Sequence, residues 1–434
     1  MSPATVGIIG IVVLVALFLL RMPVAFAMAL VGFVGFAFLT GPEAALNLLG
    51  IDIYDQFSSY PLSVIPMFIL MGTFAFASGI SRRLYRTAYA WIGHRRGGLT
   101  VATVFACAGF GAICGSSTAT AATMGKIALP EMKKYKYDDT LATGTVAAAG
   151  TLGILIPPST VLIVYGILTE QSIGKLFVAG ILPGILLSIL FAATVVYLCW
   201  RKPAIGPPGI PSSLREKFKA LTGIIEALLL FILAIGGLFL GWFSPTQAGA
   251  IGAGGALLIG LARRQLNWQT FIEAVKDGLA TSCMVIFIIT GAVIFGHFMA
   301  VSRIPFMLAD WLGGLPIHRM AVMGLIVLIY FLGGFFMDSM GLIVVTIPIF
   351  FPIVEKLGFD PIWFGVIIVL TGEMGVITPP VGVNVFVIKG IAPDIPLEKI
   401  FRGIFPFLLA LVLFTILLTI FPQIATFLPN LVSQ

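Results

Sequence analysis

Long apolar segments recur from one end of the chain to the other, separated by short polar loops. Segments of this length and composition predict transmembrane helices. The predicted crossings lie near 4–20, 23–40, 61–78, 139–168, 176–200, 226–242, 245–262, 283–300, 361–390 and 400–424. The pattern therefore indicates an all-α polytopic membrane protein with about ten crossings.

Four apolar stretches are interrupted by residues that break helices. The stretches 99–128 and 319–357 contain "CGSSTAT" and "MDSMG", and each predicts a re-entrant hairpin with its tip at the polar residues. The crossings 139–168 and 361–390 contain a Gly and Pro-Pro cluster, which predicts a broken helix. Paired broken helices in a membrane are typical of transporter sites.

The chain contains one unit twice. When 128–158 is laid over 350–380 without a gap, identical residues stand opposite Pro130, Lys134, Asp138, Gly150, Gly153, Pro157 and Pro158. If each hairpin enters and leaves on one side, each unit crosses five times, so the second unit is inverted relative to the first. We expect a first inverted repeat at 1–202, a cytoplasmic linker at 203–219 and a second inverted repeat at 220–434.

Charge gives an independent test of this topology, because Lys and Arg concentrate in short cytoplasmic loops. With the N-terminus outside, the inner loops hold all but four of the 25 Lys and Arg residues. The exceptions are Lys175, Arg303, Arg319 and Lys356. Both termini are therefore expected on the outer side, and the outer loop 41–60 is acidic, with Glu43, Asp52 and Asp55.

Some polar segments are predicted to lie along the inner membrane surface or to connect the repeats. The segments 79–98 and 265–278 are amphipathic and basic, as expected for arms of a fixed frame, although a solvated basic loop is an alternative. The Pro/Gly/Ser-rich stretch 203–213 indicates a boundary between repeats.

Composition excludes several classes of function. Hydrophobic residues make up 59% of the chain and charged residues 10%, and the basic residues sit between apolar spans, so membrane topology explains the net charge of +7 better than nucleic acid does. The four Cys and three His residues show no metal spacing and are interpreted as packing or surface residues. There is no Walker motif, Ser-His-Asp order or HExxH. We expect a protein driven by an ion gradient, and not an enzyme.

The hairpin tips and helix breaks supply the candidate residues for a substrate and ion pathway. In the membrane, irregular backbone persists only where protein, water or an ion satisfies its polar groups. The candidates are Ser116, Ser117, Thr118, Gly150, Thr151, Pro157, Pro158 and Ser159 in the first repeat, and Asp338, Ser339, Gly341, Glu373, Thr378, Pro379, Pro380 and Asn384 in the second. For any single Ser or Thr, a hydrogen bond to the preceding helical turn is the alternative.

Carbonyls freed by Pro-Pro, together with hydroxyls, form an oxygen cage suited to Na⁺. Because the cages are matched, two Na⁺ sites flanking one substrate are expected, with Na⁺ as the only cofactor. The first set is Ser116, Ser117, Gly153 and Pro157, and the second is Asp338, Ser339, Gly375, Thr378 and Pro379.

Two carboxylates lie deep in predicted membrane, and both are in the second repeat. Burying a charge is costly, so Asp338 and Glu373 are candidates for a cation ligand or proton relay, or for carboxylates satisfied by backbone amides. Their equivalents in the first repeat are Ser116 and Thr151. The two repeats therefore share the same predicted helix breaks and hairpin tips, but they carry different charges at these equivalent positions.

Three stretches resemble the large membrane subunit of TRAP transporters, the tripartite ATP-independent periplasmic family. They read "GSSTATAATMGKIALPEM", "GTLGILIPPSTVLIVYGILTEQSIGKLFVAGILPG" and "TGEMGVITPPVGVNVFVIKG". The resemblance implies a bacterial inner membrane location and Na⁺-coupled uptake of a small carboxylate such as a sialic acid or C4-dicarboxylate. It also implies an elevator mechanism in which 99–168 and 319–390 move against a scaffold.

The resemblance further implies two protein partners. One is an extracytoplasmic solute-binding protein that delivers the substrate, and the other is a small four-helix membrane subunit. The outside N-terminus leaves no room for that subunit ahead of this chain, so a separate chain is expected. Carried over position by position, each hairpin tip and the Pro-Pro break of its own repeat would form one Na⁺ site.

Other functions remain open at this stage. A self-sufficient Na⁺/dicarboxylate symporter would not need a binding protein. An intramembrane enzyme would use Asp338 and Glu373 as an acid and base, but it would not explain a duplicated, inverted scaffold. A channel is a further alternative, although paired broken helices favour alternating access.

Overall fold

The fold is entirely helical in the part of the chain that the computed structural model describes, residues 1–314 and 318–432. The predicted second repeat, 220–434, includes 315–317 and 433–434, which lie outside the described residues. Eight helices among the described residues are long and apolar enough to cross a membrane. The predicted fold class, an all-α polytopic membrane protein, is confirmed.

The first half of the chain forms eleven helices. Residues Tyr60–Ser63 form a short 3-10 turn that leads directly into the fourth helix. The helices are α1 (Pro3–Leu19), α2 (Val24–Thr40), α3 (Pro42–Ser58), α4 (Val64–Ala77), α5 (Ile80–Ile92), α6 (Gly98–Cys114), α7 (Ser117–Lys134), α8 (Asp139–Gly150), α9 (Leu152–Leu155), α10 (Thr160–Leu168) and α11 (Ile173–Arg201).

The second half contributes twelve further helices in the described residues. A π-helical turn at Ile232–Gly236 joins the second and third of them into one span. The helices are α12 (Leu214–Ala220), α13 (Thr222–Phe231), α14 (Gly237–Phe239), α15 (Pro245–Ala262), α16 (Trp268–Ser302), α17 (Ile304–Gly314), α18 (Arg319–Gly333), α19 (Ser339–Lys356), α20 (Pro361–Ile377), α21 (Val383–Ile391), α22 (Leu397–Ile420) and α23 (Gln423–Val432).

Matched residues start matched helices in the two halves. Asp138 caps α8 by accepting hydrogen bonds from the backbone N–H groups of Thr140 and Leu141 at 2.9 and 3.1 Å. Asp360, its equivalent in the sequence alignment of the halves, caps α20 through the N–H of Trp363 at 2.9 Å. A capping carboxylate satisfies otherwise unpaired N–H groups and favours the positive end of the helix. The broken helix of each half therefore begins with the same local chemistry.

The first hairpin, the first broken helix and α20 lie in the interior of the molecule. Helices α6 and α7 meet at Gly115–Ser116, and α18 and α19 meet at 334–338. The span Asp139–Leu168 has 89% of its most apolar window buried inside the protein, and every residue of Ile362–Ile377 in α20 is buried. Non-helical backbone at membrane depth needs such enclosure, because lipid offers no hydrogen-bond partners.

Three segments differ from the sequence predictions. The acidic stretch 41–60, expected as an outer loop, is the helix α3, which Pro42 begins and whose Ala45 and Asp52 are buried. The arm 265–278 and the crossing 283–300, expected as separate elements, form the single helix α16, about 52 Å long for its 35 residues. The crossing expected near 400–424 ends at Ile420, and α23 follows it.

The continuity of α16 has a local cause. A capping box at Asn267 begins the helix and no Pro interrupts it. Gly278, at the end of the predicted arm, faces the side chain of Leu70, which lies 2.9 Å from the position a Cβ would take. The glycine therefore serves close packing against α4 and does not break the helix.

The predicted linker 203–219 is fixed to the protein along most of its length. Its last residues belong to α12. Before that helix, the carbonyl of Gly206 accepts from Gly97 N–H at 2.8 Å, the carbonyl of Ile205 accepts from Asp138 N–H at 3.0 Å, and Gly209 N–H donates to Gly93 at 2.9 Å. The stretch is therefore more than a boundary between repeats. It connects the end of α5 to the starts of α6 and α8.

Candidate functional site

The two hairpin tips carry equivalent caps. Ser116 begins α7, and its hydroxyl accepts a hydrogen bond from Ala119 N–H at 3.4 Å. Asp338 begins α19, and its carboxylate accepts from Met340 and Gly341 N–H at 3.1 and 3.3 Å. Each of these side chains therefore satisfies the first turn of its own hairpin helix. Asp338 is otherwise exposed at the tip.

One buried carboxylate receives hydrogen bonds from both hairpins. Ser339 Oγ donates to Glu373 Oε1 at 2.6 Å, and Ser117 Oγ donates to the same oxygen at 3.5 Å. Glu373 is 1% exposed, Ser339 2% and Ser117 3%. Because Ser117 and Ser339 are the first residues of α7 and α19, the positive ends of two helices converge on one side chain of α20.

The second oxygen of this carboxylate has no partner. Glu373 Oε2 is buried and makes no hydrogen bond to any described residue. A buried acceptor without a donor is costly, and such positions in a membrane protein are functional candidates. The geometry therefore offers one free carboxylate oxygen beside both hairpin tips.

Each helix break packs against the hairpin of its own half through glycine. A Cβ placed on Gly111 would lie 2.7 Å from the Cα of Gly153, and one placed on Gly334 would lie 2.8 Å from the Cα of Gly375. A real Cβ does not approach other atoms so closely, so only glycine permits these contacts. Hairpin and broken helix are therefore in backbone contact in both halves.

The residues of the first predicted Na⁺ set lie close together. The Ser116 carbonyl lies 2.6 Å from the Cβ position of Gly153, and the Ser117 carbonyl lies 3.1 Å from that of Gly150. The Pro158 carbonyl lies 2.6 Å from the Cβ position of Gly115. Pro157 instead lies beside α11, with its ring 3.6 Å from the Cβ position of Gly180.

The second set is brought together less completely. Ser339 Oγ lies 3.1 Å from the Cβ position of Gly372, and Thr378 N–H donates to the Gly375 carbonyl at 3.0 Å. No hydrogen bond among the described residues joins Asp338 to Thr378 or Pro379. The first Pro-Pro break is buried, whereas Pro379 and Pro380 are exposed.

Both breaks leave carbonyl oxygens without a donor. In the described part of the chain, no backbone or side-chain group donates to the carbonyls of Pro157, Pro158, Pro379 or Pro380. The described part of the chain also contains no group of three or more His, Cys, Asp or Glu side chains that could hold a metal ion. Carbonyl and hydroxyl oxygens, together with the free Glu373 oxygen, are thus the available ligands for a hard cation such as Na⁺.

Several predicted site residues are engaged in local hydrogen bonds. Thr151 donates to the Ala148 carbonyl at 2.6 Å and Thr378 to the Met374 carbonyl at 2.5 Å, each within its own helical turn. The Ser159 hydroxyl caps α10. Thr118 Oγ1 lies 3.3 Å from the Ser116 hydroxyl. Thr151, Ser159 and Thr378 therefore make local hydrogen bonds, which was the alternative to an ion or substrate contact.

Asn384 connects the two halves instead of facing Glu373. Its side-chain N–H donates to the Ala147 carbonyl of α8 at 3.2 Å, while its buried Oδ1 has no partner among the described residues. Asn384 lies in α21, directly after the second break. It therefore ties the second broken helix to the first.

The sequence did not predict a hydrogen bond on the expected outer side. His297, interpreted as a packing or surface residue, places Nε2 3.1 Å from the carboxylate of Asp52. Asp52 is 6% exposed, and burial raises its pKa although His297 opposes that shift. The pair fastens α3 to α16. The two residues stand 245 positions apart, so the sequence carries no local signal for their contact.

Comparison with known proteins identifies the family. The profile of "Tripartite ATP-independent periplasmic transporter, DctM component" matches residues 11–424. The C4-dicarboxylate TRAP transporter large permease protein DctM of Pseudomonas aeruginosa is 37% identical over 388 residues, covering 89% of this chain and 90% of that protein. The sialic acid TRAP transporter large permease protein SiaM of Vibrio cholerae is 32% identical over 411 residues, covering 94% and 95%.

A solved structure supports the same fold. The YdaH transporter of Alcanivorax borkumensis superposes with a TM-score of 0.64 at 18% identity, covering 88% of this chain and 89% of that chain. At this identity the likeness concerns the fold alone. The family predicted from the motifs is confirmed by the profile and by the relatives, which are transporter permeases. This multi-pass membrane chain belongs to the DctM family of TRAP transporter large permeases.

Proposed function

We propose that the chain carries out Na⁺-coupled uptake of a small organic carboxylate that an extracytoplasmic solute-binding protein delivers. Alternating access would follow an elevator mechanism, with 99–168 and 319–390 moving against the remaining helices. The proposed location is the bacterial inner membrane, with both termini periplasmic. A small four-helix membrane subunit on a separate chain would complete the transporter.

The observation that carries this proposal is the convergence of Ser117 and Ser339 on Glu373. Two hairpins from different halves of the chain reach the same buried oxygen, at 3.5 and 2.6 Å. A substrate held between the hairpins would then be sensed by both of them. Opening either hairpin must break its own hydrogen bond to Glu373, which is the behaviour expected of two gates over one site.

The free carbonyls of the two breaks support Na⁺ as the coupling ion. An unsatisfied carbonyl in a membrane interior costs several kcal/mol unless water, protein or an ion pairs with it. Pro157 and Pro158 in the buried first break offer such oxygens, whereas the carbonyls of Pro379 and Pro380, which also lack a donor, lie in an exposed break. Na⁺ bound there would supply positive charge next to an anionic substrate.

The substrate class rests on two relatives and on the hairpin helices. The relatives are named for C4-dicarboxylates and for sialic acid, both of which are carboxylates. In this chain, the N-terminal ends of α7 and α19 face the site, and helix N-termini favour anions.

The direct experiment is uptake into liposomes that contain this chain and a candidate small subunit. Uptake is measured with an inward Na⁺ or K⁺ gradient, each with and without the binding protein. The proposal predicts accumulation only when Na⁺ and the binding protein are both present. Accumulation with Na⁺ alone would instead support the self-sufficient Na⁺/dicarboxylate symporter, and equal uptake under K⁺ would overturn Na⁺ coupling.

A further inference from the structure

The short helices α5 and α12, which lie before and after the crossing α11 in the sequence, pack into one surface. Thr87 Oγ1 in α5 donates to the carbonyl of Ala220, the last residue of α12, at 2.6 Å. The ring of Trp91 meets that of Phe218 edge-on, with centroids 6.2 Å apart. We call α5 and α12, with the segment 93–96 that follows α5, the α5–α12 surface.

The α5–α12 surface exposes an apolar patch. Trp91 is 42% exposed, Phe218 63% and Leu214 73%. Leu214 and Phe218 are four residues apart, on one face of α12, and Phe218 contacts Trp91 directly. Neighbouring large aromatic side chains at the end of membrane-spanning helices are typical of the interface between headgroups and acyl chains.

Exposed cations lie on the same two helices and on the segment that follows α5. Six of them form no ion pair with any described residue. These six are Arg82, Arg86, Arg95, Arg96, Arg215 and Lys219. Lys217 lies over the ring of Trp91, 6.0 Å from its centroid. The surface thus combines an apolar centre with a basic rim.

Three carboxylates lie on or beside this surface. Glu216 accepts from Ser213 N–H at 2.7 Å in a capping box. Glu226 is paired with both Arg83 and Arg263, and Glu131 lies near Tyr85 and Tyr89 of α5. The eight Lys and Arg residues of α5, 93–96 and α12 outnumber these acids, so the surface keeps a net positive charge.

We propose that the α5–α12 surface binds anionic phospholipid of the inner leaflet, with headgroup phosphates on the basic rim and acyl chains against Trp91, Leu214 and Phe218. Both halves of the ligand match: Lys and Arg beside a membrane favour anionic over zwitterionic lipid, and an interfacial apolar face buries into the acyl boundary. The bound lipid would hold α5 in place on the membrane while the hairpin that follows it moves.

The test uses the full chain reconstituted in vesicles that carry brominated lipid, which quenches nearby Trp fluorescence. The contribution of Trp91 is the difference between the wild type and Trp91→Phe. Brominated phosphatidylglycerol should quench this contribution at several-fold lower mole fraction than brominated phosphatidylcholine does. Trp242→Phe gives the matched control at the predicted outer side, where the two lipids should quench equally.

Charge variants then distinguish a site selective for anionic lipid from non-selective contact with the membrane. Each base near the surface contributes about five-fold in affinity for anionic lipid, so Arg82→Gln with Arg86→Gln should reduce the preference by about 25-fold. Arg82→Lys with Arg86→Lys should retain it, and Lys175→Gln should have no effect. Equal quenching by the two lipids in the wild type, or a preference unchanged in the Gln variant, would overturn the proposal.

A free phosphate site is distinguished in the same vesicles. Inorganic phosphate at millimolar concentration, with chloride held at matched ionic strength, should leave quenching by phosphatidylglycerol unchanged. If inorganic phosphate displaces the lipid from Trp91, the rim is a soluble-anion site and the lipid assignment is wrong.

Discussion

The two serines that reach Glu373 are expected to contribute unequally to hairpin closure. Ser339 lies at 2.6 Å from the carboxylate oxygen and Ser117 at 3.5 Å, the outer limit of a hydrogen bond. Removing a donor leaves a buried acceptor oxygen unsatisfied, which costs about 1–3 kcal/mol. Taking about 2 kcal/mol for Ser339, its removal should raise the open population of the second hairpin about 30-fold.

Ser117→Ala should have a much smaller effect. Because interactions weaken steeply towards the limit of hydrogen-bond geometry, we expect about 0.5 kcal/mol or less for this bond, which corresponds to about two-fold. The hairpin of the first repeat is also held by backbone contact between Gly111 and Gly153, which the substitution leaves intact.

Opening can be measured by labelling a cysteine placed at the second tip. Met337→Cys adjoins Asp338 and is read by mass spectrometry of its own peptide, so that the four native cysteines do not interfere. Under conditions in which closing outpaces labelling, the rate follows the open population. Ser339→Ala should then label about 30-fold faster than the parent, and Ser117→Ala about two-fold faster.

Glu373→Gln tests whether the carboxylate is the partner. With a neutral acceptor the Ser339 bond contributes about 1 kcal/mol, so adding Ser339→Ala to Glu373→Gln should raise labelling only about five-fold. An increase of 30-fold in both backgrounds, or no increase with Ser339→Ala alone, would refute this explanation of closure.

Three further substitutions test the frame of the site. Gly153→Ala places a Cβ 2.6 Å from a backbone carbonyl and should abolish uptake with normal membrane insertion, whereas Gly390→Ala, with nothing within 4 Å, should leave uptake unchanged. Asp338→Ala should lower the stability of the second hairpin by about 1 kcal/mol, measured by hydrogen exchange of α19, and Asp338→Ser should restore most of it. Glu226→Gln removes the acid between Arg83 and Arg263 and should lower the unfolding temperature measured by intrinsic fluorescence, while Glu43→Gln, an exposed acid that forms no ion pair with any described residue, should not. Equal melting of these two variants would make the Glu226 pairs unimportant.

The duplicated sequence predicted much of the arrangement. Identical spacing of Asp138 and Asp360, and of the two Pro-Pro clusters, led to matched breaks and hairpins, because caps and prolines act through local backbone chemistry. The same alignment paired Ser117 with Ser339. The sequence analysis also gave Glu373 as a candidate, and both serines donate to this residue in the structure.

The contacts between the halves could not be predicted in the same way. Glu373 was considered with Asp338, whereas its observed partners are two serines, one of them 256 positions away. Asn384 reaches α8, and the linker carbonyls reach Gly97 and Asp138. Such pairings depend on how helices pack in three dimensions, which a hydrophobic pattern along one chain does not specify.

Local composition was misleading at two helices. The acids of α3 indicated a loop, but burial of Ala45 and pairing of Asp52 with His297 stabilise a helix. The arm was expected to end at 278, but Gly278 packs against Leu70 within the continuous helix α16. In both cases tertiary contacts outweighed the local preference.

The most direct test of the two proposed cation cages is a Na⁺ binding isotherm on the purified chain, measured with radioactive Na⁺ for the wild type and for the Ser117→Ala and Ser339→Ala variants. Two matched cages predict two Na⁺ ions bound per wild-type chain, and weaker binding of one ion in each variant. A wild-type stoichiometry of zero, or isotherms unchanged in both variants, would contradict a Na⁺ site at each hairpin tip.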